Sequence, residues 1–74
     1  HKDKQRYNTM IENRNGEQVN EITLERGQWC RYTSKNGTKY VVTNVHGRLT
    51  VTKPLSIKPI RATKEIKAAR IYAA

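Results

Sequence analysis

The fold is decided by residues 29–52, which read WCRYTSKNGTKYVVTNVHGRLTVT. Asn36-Gly37 and His46-Gly47 divide this stretch into three runs rich in β-branched and aromatic residues, the composition that strands favour. An Asn-Gly pair between such runs is a strong hairpin signal, because a type I′ turn needs positive φ at both central residues. Residues 28–53 are therefore predicted to form a three-stranded antiparallel meander.

The pairing of these strands decides which side chains face the core. Two-residue turns at both glycines would place Arg31 opposite Val42, and Val42 opposite Val51. Because side chains alternate along a strand, two faces follow by counting, and a slip of one residue would exchange them. The bulkier face, which we expect to be the core, carries Trp29, Arg31, Tyr40, Val42, Asn44, Leu49 and Val51. The second face carries Cys30, Tyr32, Val41, Thr43, Val45, Arg48, Thr50 and Thr52.

A further hairpin is predicted ahead of the meander, turned at Asn15-Gly16 between residues 9–12 and residues 18–24. The second of these segments alternates irregularly, which indicates a bulge or a short helical turn. The hairpin would either pack on the second face and close a five-stranded, SH3-like barrel, or leave that face open as a binding surface. Residues 1–8 are expected to be a flexible tail and residues 9–74 a single small domain.

Prolines and helix formers mark the end of the chain. Pro54 and Pro59 end the strand region, since proline cannot donate to a β-ladder. Residues 62–72 are rich in good helix formers and are predicted to form a short C-terminal helix that covers the core through Ile66. The predicted fold class is therefore α+β and mainly β.

Charge is divided unevenly along the chain, whose formal net charge is +9. Residues 1–25 hold four Lys or Arg and five Asp or Glu, whereas residues 26–74 hold eleven Lys or Arg and a single acid, Glu65. A folded chain with this balance attracts polyanions, and nucleic acid releases a counterion for each phosphate that is neutralised. The composition therefore favours a nucleic-acid partner, with DNA ahead of RNA.

A binding site can be predicted from the same region. Aromatic side chains stack on bases, and neighbouring Lys or Arg side chains hold phosphates. Among the aromatics, Tyr32 and then Tyr40 are the expected contacts, Trp29 is assigned to the core, and Asn36 lies in an exposed turn. Phosphate contacts are predicted at nine basic residues, which are Arg31, Lys35, Lys39, Arg48, Lys53, Lys58, Lys64, Lys67 and Arg70.

Other chemistry finds little support in the sequence. His46 lies in a predicted turn and no acid can be placed beside it, so an enzyme is not expected. No His, Cys or carboxylate cluster has metal-ligand spacing and no Gly-rich phosphate loop is present, so neither a metal nor another cofactor is expected. A single cysteine, Cys30, suits a reducing compartment, which predicts the cytoplasm, nucleoid or nucleus. No apolar run approaches the length of a membrane span.

The stretch from Gly27 to Ala74 has three short strands turned by Gly-containing loops, followed by an Ala-rich segment. This layout resembles the three-stranded-sheet DNA-binding domains found at the amino termini of phage-type integrases and in a family of plant transcription factors. The proline segment 54–59 departs from that pattern. The resemblance implies DNA binding by a sheet.

Two functional hypotheses follow. The first is a small, basic, non-enzymatic domain that binds nucleic acid through phosphate contacts and one face of its sheet. The second is a protein-binding adaptor or inhibitor, of the kind found in viruses and mobile elements, whose basic face docks an acidic protein. In either case the exposed edges of the meander allow a homodimer through strand pairing.

Overall fold

The computed structural model describes residues 10–74, which form a mainly β domain with one short helix. The predicted tail, residues 1–8, and Thr9 lie outside the described residues. The elements in chain order are β1 (Ile11–Glu12), β2 (Gln18–Val19), β3 (Ile22–Leu24), β4 (Trp29–Thr33), β5 (Lys39–Val45), β6 (Arg48–Thr52), β7 (Pro59–Ile60), α1 (Lys64–Ala68) and β8 (Ile71–Ala73). The predicted fold class, mainly β with a short helix near the C-terminus, is confirmed.

Two sheets are built from these strands. Six strands form an antiparallel sheet in the order β2-β1-β4-β5-β6-β7, and β3 pairs with β8 in parallel. The predicted meander is confirmed as β4-β5-β6 in the middle of the larger sheet. Within residues 10–74, β2 and β7 remain as two edges, so the strands do not close into the barrel considered above.

The turn between β5 and β6 has the predicted form. His46 and Gly47 have φ values of 55° and 88°, and a type I′ turn requires positive φ at both positions. The resulting register pairs Val42 with Val51, as counting along the sequence predicts. These two strands therefore have the predicted faces.

The turn between β4 and β5 is longer than predicted. Its loop runs from Ser34 to Thr38, closed by hydrogen bonds of 2.9 Å from the Gly37 N–H to the Ser34 carbonyl and from the Ser34 N–H to the Thr38 carbonyl. Gly37 has a φ of 90° and supplies the extra residue, as in hairpins that combine a tight turn with a G1 bulge. The longer loop shifts the pairing of β4 by one residue.

The shift exchanges the two faces of β4. Cys30, and not Arg31, is paired with Val42. Cys30 and Tyr32 are buried, whereas Arg31 is exposed and Trp29 is half-buried. The face assignment predicted for β4 is therefore wrong, while that of β5 and β6 is correct.

The N-terminal hairpin is formed by β1 and β2, as predicted. The Oδ1 atom of Asn13 accepts the N–H groups of Asn15 and Glu17, each at 3.0 Å, which fixes the turn. The second predicted segment breaks between Val19 and Ile22, where the chain leaves the large sheet and β3 begins. The irregular alternation of this segment reflects two short strands that belong to different sheets.

The C-terminal helix is shorter than predicted. α1 covers five residues, and the Thr63 Oγ1 caps it by accepting the N–H of Ile66 at 3.2 Å. The chain then becomes extended, and Ile71 of β8 is buried and paired with Ile22. Because this pairing gives Ile71 both a strand partner and a place in the core, it overrides the helix propensity of the neighbouring alanines. The predicted helix over residues 62–72 is therefore wrong in its extent.

The core lies on one side of the large sheet, against α1 and the β3–β8 pair. Its buried apolar side chains are Ile11, Leu24, Cys30, Tyr32, Val42, Val51, Ile66 and Ile71. Asn44 is fully buried among them, and its Nδ2 donates to the Leu24 carbonyl at 2.8 Å. The Oδ1 of Asn44 accepts the Gly47 N–H at 2.7 Å. This side chain therefore links β5 to β3 across the core.

Candidate nucleic-acid interface

The side of the six-stranded sheet that faces away from the core is called the open face. It carries Glu12, Trp29, Arg31, Thr33, Lys39, Val41, Thr43, Val45, Arg48, Thr50 and Thr52. All of these residues are half-buried or exposed. The one helix of residues 10–74 packs on the opposite side through Ile66, so it leaves this face uncovered.

Trp29 lies on the open face, so its predicted place in the core is wrong. The Cζ atom of Arg31 lies 4.8 Å from the centroid of the Trp29 ring, within the range of a cation–π interaction. Arg31 also forms an ion pair with Glu12, with 3.5 Å between Nη1 and Oε1. The guanidinium of Arg31 therefore lies over the Trp29 ring on the open face of the sheet.

Two large apolar side chains are fully exposed in the loop of residues 53–58, which joins β6 to β7. The relative solvent exposures of Leu55 and Ile57 are 109% and 97%. The Ser56 N–H donates to the Lys53 carbonyl at 3.1 Å, which closes a β-turn around Leu55. Leu55 is the third residue of this turn and has a φ of 63°, a conformation that type II turns reserve for glycine or asparagine. The backbone of Leu55 is therefore strained, and its side chain makes no buried contact that would offset the strain.

Loop 53–58 and the open face enclose an open groove of about 700 Å³, called the apolar groove. Its apolar walls come from Trp29, Val41, Leu55 and Ile57. Thr43 and Thr52, which carry hydroxyl groups, line the same space. The groove therefore combines a flat aromatic surface and exposed aliphatic groups with a few polar groups, the usual make-up of a small-molecule or base-binding site.

Some of the predicted phosphate contacts lie on or beside the open face, and these are Arg31, Lys39, Arg48 and Lys53. The Nζ of Lys53 lies 5.9 Å from the ring centroid of Tyr40, which is half-buried against the core. Lys58 is exposed at the end of loop 53–58. The structure therefore brings part of the predicted site together around the groove.

Other predicted contacts lie apart from this face. Lys64 and Lys67 are exposed on α1, which is on the core side of the sheet. Arg70 forms an ion pair with Glu21, with 2.9 Å between Nη2 and Oε1. The nine predicted cations therefore do not form one continuous surface.

The β4–β5 turn is held by a small hydrogen-bond network. The Oε2 of Glu65 accepts the Lys35 N–H at 2.9 Å and the Tyr32 hydroxyl at 3.0 Å. Burial of Tyr32, together with the hydrogen bond and charge of Glu65, raises its pKa to about 12. The Oδ1 of Asn36 accepts the Thr38 N–H at 3.1 Å. Tyr32 and Asn36, predicted as nucleic-acid contacts, therefore serve the core and the turn.

Side chains that could bind a metal ion are not gathered together within residues 10–74. This part of the chain has no group of three His, Cys, Asp or Glu side chains that could hold a metal ion. His46 occupies the β5–β6 turn at positive φ. Cys30 is fully buried, and burial raises the pKa of its thiol to about 11, so the reactive thiolate is disfavoured. No helix in the described part is long and apolar enough to cross a membrane.

Sequence reasoning missed three residues of the groove, which are Trp29, Leu55 and Ile57. A signal for the last two was present, because Leu55 and Ile57 lie in a short segment flanked by Pro54 and Pro59. Proline cannot donate to a β-ladder, so the residues between Pro54 and Pro59 pair poorly and have few ways to reach a core. Pro59 itself begins the edge strand β7, so the predicted end of the strand region at the prolines is wrong. For Trp29, the signal was that an Asn-Gly pair also fits a longer hairpin loop. That loop shifts β4 by one residue and so moves Trp29 to the other face of the sheet.

Comparison with models of known protein families, with curated proteins and with solved structures finds no match.

Proposed function

We propose that the protein is a small, non-enzymatic domain that binds nucleic acid through its open face, with DNA favoured over RNA. The observation that carries this proposal is a sheet surface that presents Trp29 beside Arg31 and is not covered by the helix of residues 10–74. Stacking of bases on sheet aromatics and neutralisation of phosphates by adjacent cations is a recurring mode of nucleic-acid recognition.

Charge supports a polyanionic ligand. The chain has a net charge of +9, and the only acid on the open face, Glu12, is paired with Arg31 at 3.5 Å. Lys39 and Arg48 extend the positive surface to β5 and β6. Contact of this surface with a nucleic-acid backbone would release condensed counterions, which favours binding at low salt.

The salt dependence of binding tests the proposal quantitatively. If Arg31, Lys39, Arg48 and Lys53 each neutralise one phosphate, the logarithm of the binding constant should fall against the logarithm of salt concentration with a slope of about −3 for a single strand. The expected slope for duplex DNA is about −3.5. The fluorescence of Trp29, the one tryptophan of the chain, reports the titration directly. A flat salt response would rule out phosphate contacts as the basis of binding.

Two charge-matched variants locate the site. Lys39→Glu with Arg48→Glu reverses charges on the open face, and Lys64→Glu with Lys67→Glu makes the same change in net charge on α1. We expect the first pair to abolish two contacts and to reduce the salt slope for a single strand by about 1.4, whereas the second pair retains most of the binding. Equal losses from both pairs would mean that overall charge, and not the open face, attracts the ligand.

The protein-partner hypothesis is distinguished in the same titrations. A poly-glutamate peptide carries negative charge without bases or phosphates. Binding of this peptide, together with no binding of DNA or RNA at low salt, would replace the nucleic-acid proposal by an acidic protein partner.

A further inference from the structure

The apolar groove has exposed aliphatic side chains, which contacts with phosphates do not involve. Leu55 and Ile57 are fully exposed and line the groove together with Trp29 and Val41. Exposing large aliphatic side chains to water is unfavourable, and the positive φ of Leu55 adds backbone strain. Exposed apolar groups and local strain that occur together in one groove indicate a ligand that covers them.

Duplex DNA is poorly suited to this groove. Its bases are stacked inside the helix and its outer surface is charged, so the aliphatic wall would meet phosphates. Unpaired nucleotides instead expose flat base faces that stack on aromatic side chains.

We propose that the apolar groove receives unpaired bases of a single-stranded nucleic acid, so that the protein prefers single strands to duplexes. The base faces lie against Trp29, Leu55 and Ile57. This inference rests on the proposed function and specifies the class of nucleic acid that the open face takes.

Polar groups in the same groove fit such a ligand. The hydroxyls of Thr43 and Thr52 can each donate or accept a hydrogen bond, so they suit base edges without selecting one base. Arg31 also lines the groove and is placed to hold a phosphate next to a bound base. The arrangement predicts binding with little sequence preference.

Three ligands of equal length separate the contribution of the bases from that of the backbone. They are a single-stranded DNA of about twelve nucleotides, its duplex, and an abasic strand with the same phosphates. Binding is followed by Trp29 fluorescence and, independently, by the anisotropy of a labelled strand. We expect the intact strand to bind at least about tenfold more tightly than the abasic strand, since each stacked base contributes about that much.

A double variant, Leu55→Ser with Ile57→Ser, removes the aliphatic wall of the groove. Both residues are fully exposed, so the fold is retained, which urea unfolding checks. Ile60→Ser is the matched control, because Ile60 is an exposed isoleucine of β7 that pairs with core-facing Val51 and lies outside both the open face and the groove. We expect the double variant to lose about tenfold in affinity for the intact strand and none for the abasic strand, whereas Ile60→Ser binds like the wild type.

The possible failures are distinguishable. If the wild type binds none of the three ligands at low salt, and no RNA strand, the proposed function and this inference fall together. If intact and abasic strands bind equally, or the double variant binds the intact strand like the wild type, nucleic-acid binding stands and the base-binding groove is wrong. Tighter binding of the duplex, lost in the double variant, would replace the inference by insertion of Leu55 and Ile57 between base pairs.

Discussion

Replacing Leu55 by glycine should make the protein more stable. The leucine has a φ of 63° in a β-turn, and its side chain is fully exposed, so its backbone strain is not offset by packing. Glycine adopts positive φ without the steric clash that a Cβ atom causes. The substitution therefore relieves strain at a position where no buried contact is lost.

The expected gain follows from two opposing terms. A left-handed conformation costs a residue with a side chain about 1–2 kcal/mol. Glycine loses more conformational freedom on folding, which offsets about 0.5–1 kcal/mol of this gain. Since a side chain that is 109% exposed contributes no burial, the free energy of unfolding should rise by about 0.5–1 kcal/mol. For a domain of this size, the corresponding rise in Tm is about 2–8 °C.

Urea and thermal unfolding, followed by circular dichroism, measure this change. Ile57→Gly is the matched control, because Ile57 is 97% exposed and is not among the residues with positive φ. It should leave the protein unchanged or less stable by about 0.5–1 kcal/mol. If Leu55→Gly is no more stable than Ile57→Gly, the strain argument is refuted. The stabilised variant should also bind a single strand more weakly, as expected where a functional residue carries strain.

Three further perturbations test the core and its titrating groups. Asn44→Ala removes the 2.8 Å hydrogen bond to the Leu24 carbonyl and should lower the free energy of unfolding by about 2–3 kcal/mol; a loss below about 0.5 kcal/mol would show that the bond is dispensable. Ile71→Ala, in buried β8, should cost about 2–4 kcal/mol in the same urea assay, and no change would mean that β8 does not support the core. The free energy of unfolding should fall between about pH 9 and about pH 12. Folding raises the pKa of Cys30 from 9.0 to about 11 and the pKa of Tyr32 from 10.0 to about 12, so the unfolded chain loses these protons at lower pH than the folded chain does. Cys30→Ala should delay the onset from about pH 9 to about pH 10, and an unchanged onset would contradict the burial of the thiol.

Turn chemistry made the β5–β6 hairpin predictable from sequence. His46 and Gly47 fit a two-residue turn, and both adopt the positive φ that this turn requires. Asn15-Gly16 also located the N-terminal turn, although this turn is a longer loop with positive φ at Gly16 alone, and the Asn13 side chain completes it. In each case the turn residues themselves carry the structural information, so no distant contact is needed to find the hairpin.

The C-terminal strand could not be predicted from its own sequence. Residues 62–72 have the composition of a helix, yet α1 ends at Ala68. The deciding interaction is the parallel pairing of Ile71 with Ile22, which are far apart in the chain. A strand this short depends on its partner and on burial more than on intrinsic preference, and neither is visible in the local sequence.

The register of β4 shows why the residues that β4 contributes to the open face were not predicted. Asn36-Gly37 is compatible with a two-residue turn and with the longer observed loop, so the turn residues alone do not decide between them. The shorter turn would place Arg31 on the core face. Burying its charged guanidinium there would cost several kcal/mol, even after the surrounding protein relaxes. The longer loop buries Cys30 in its place and leaves Trp29 half-buried on the open face, which forfeits at most about 3 kcal/mol of burial. Because excluding the guanidinium from the core outweighs burying the indole, β4 shifts by one residue, and the same shift places Trp29 beside Arg31 on the surface that we propose binds nucleic acid.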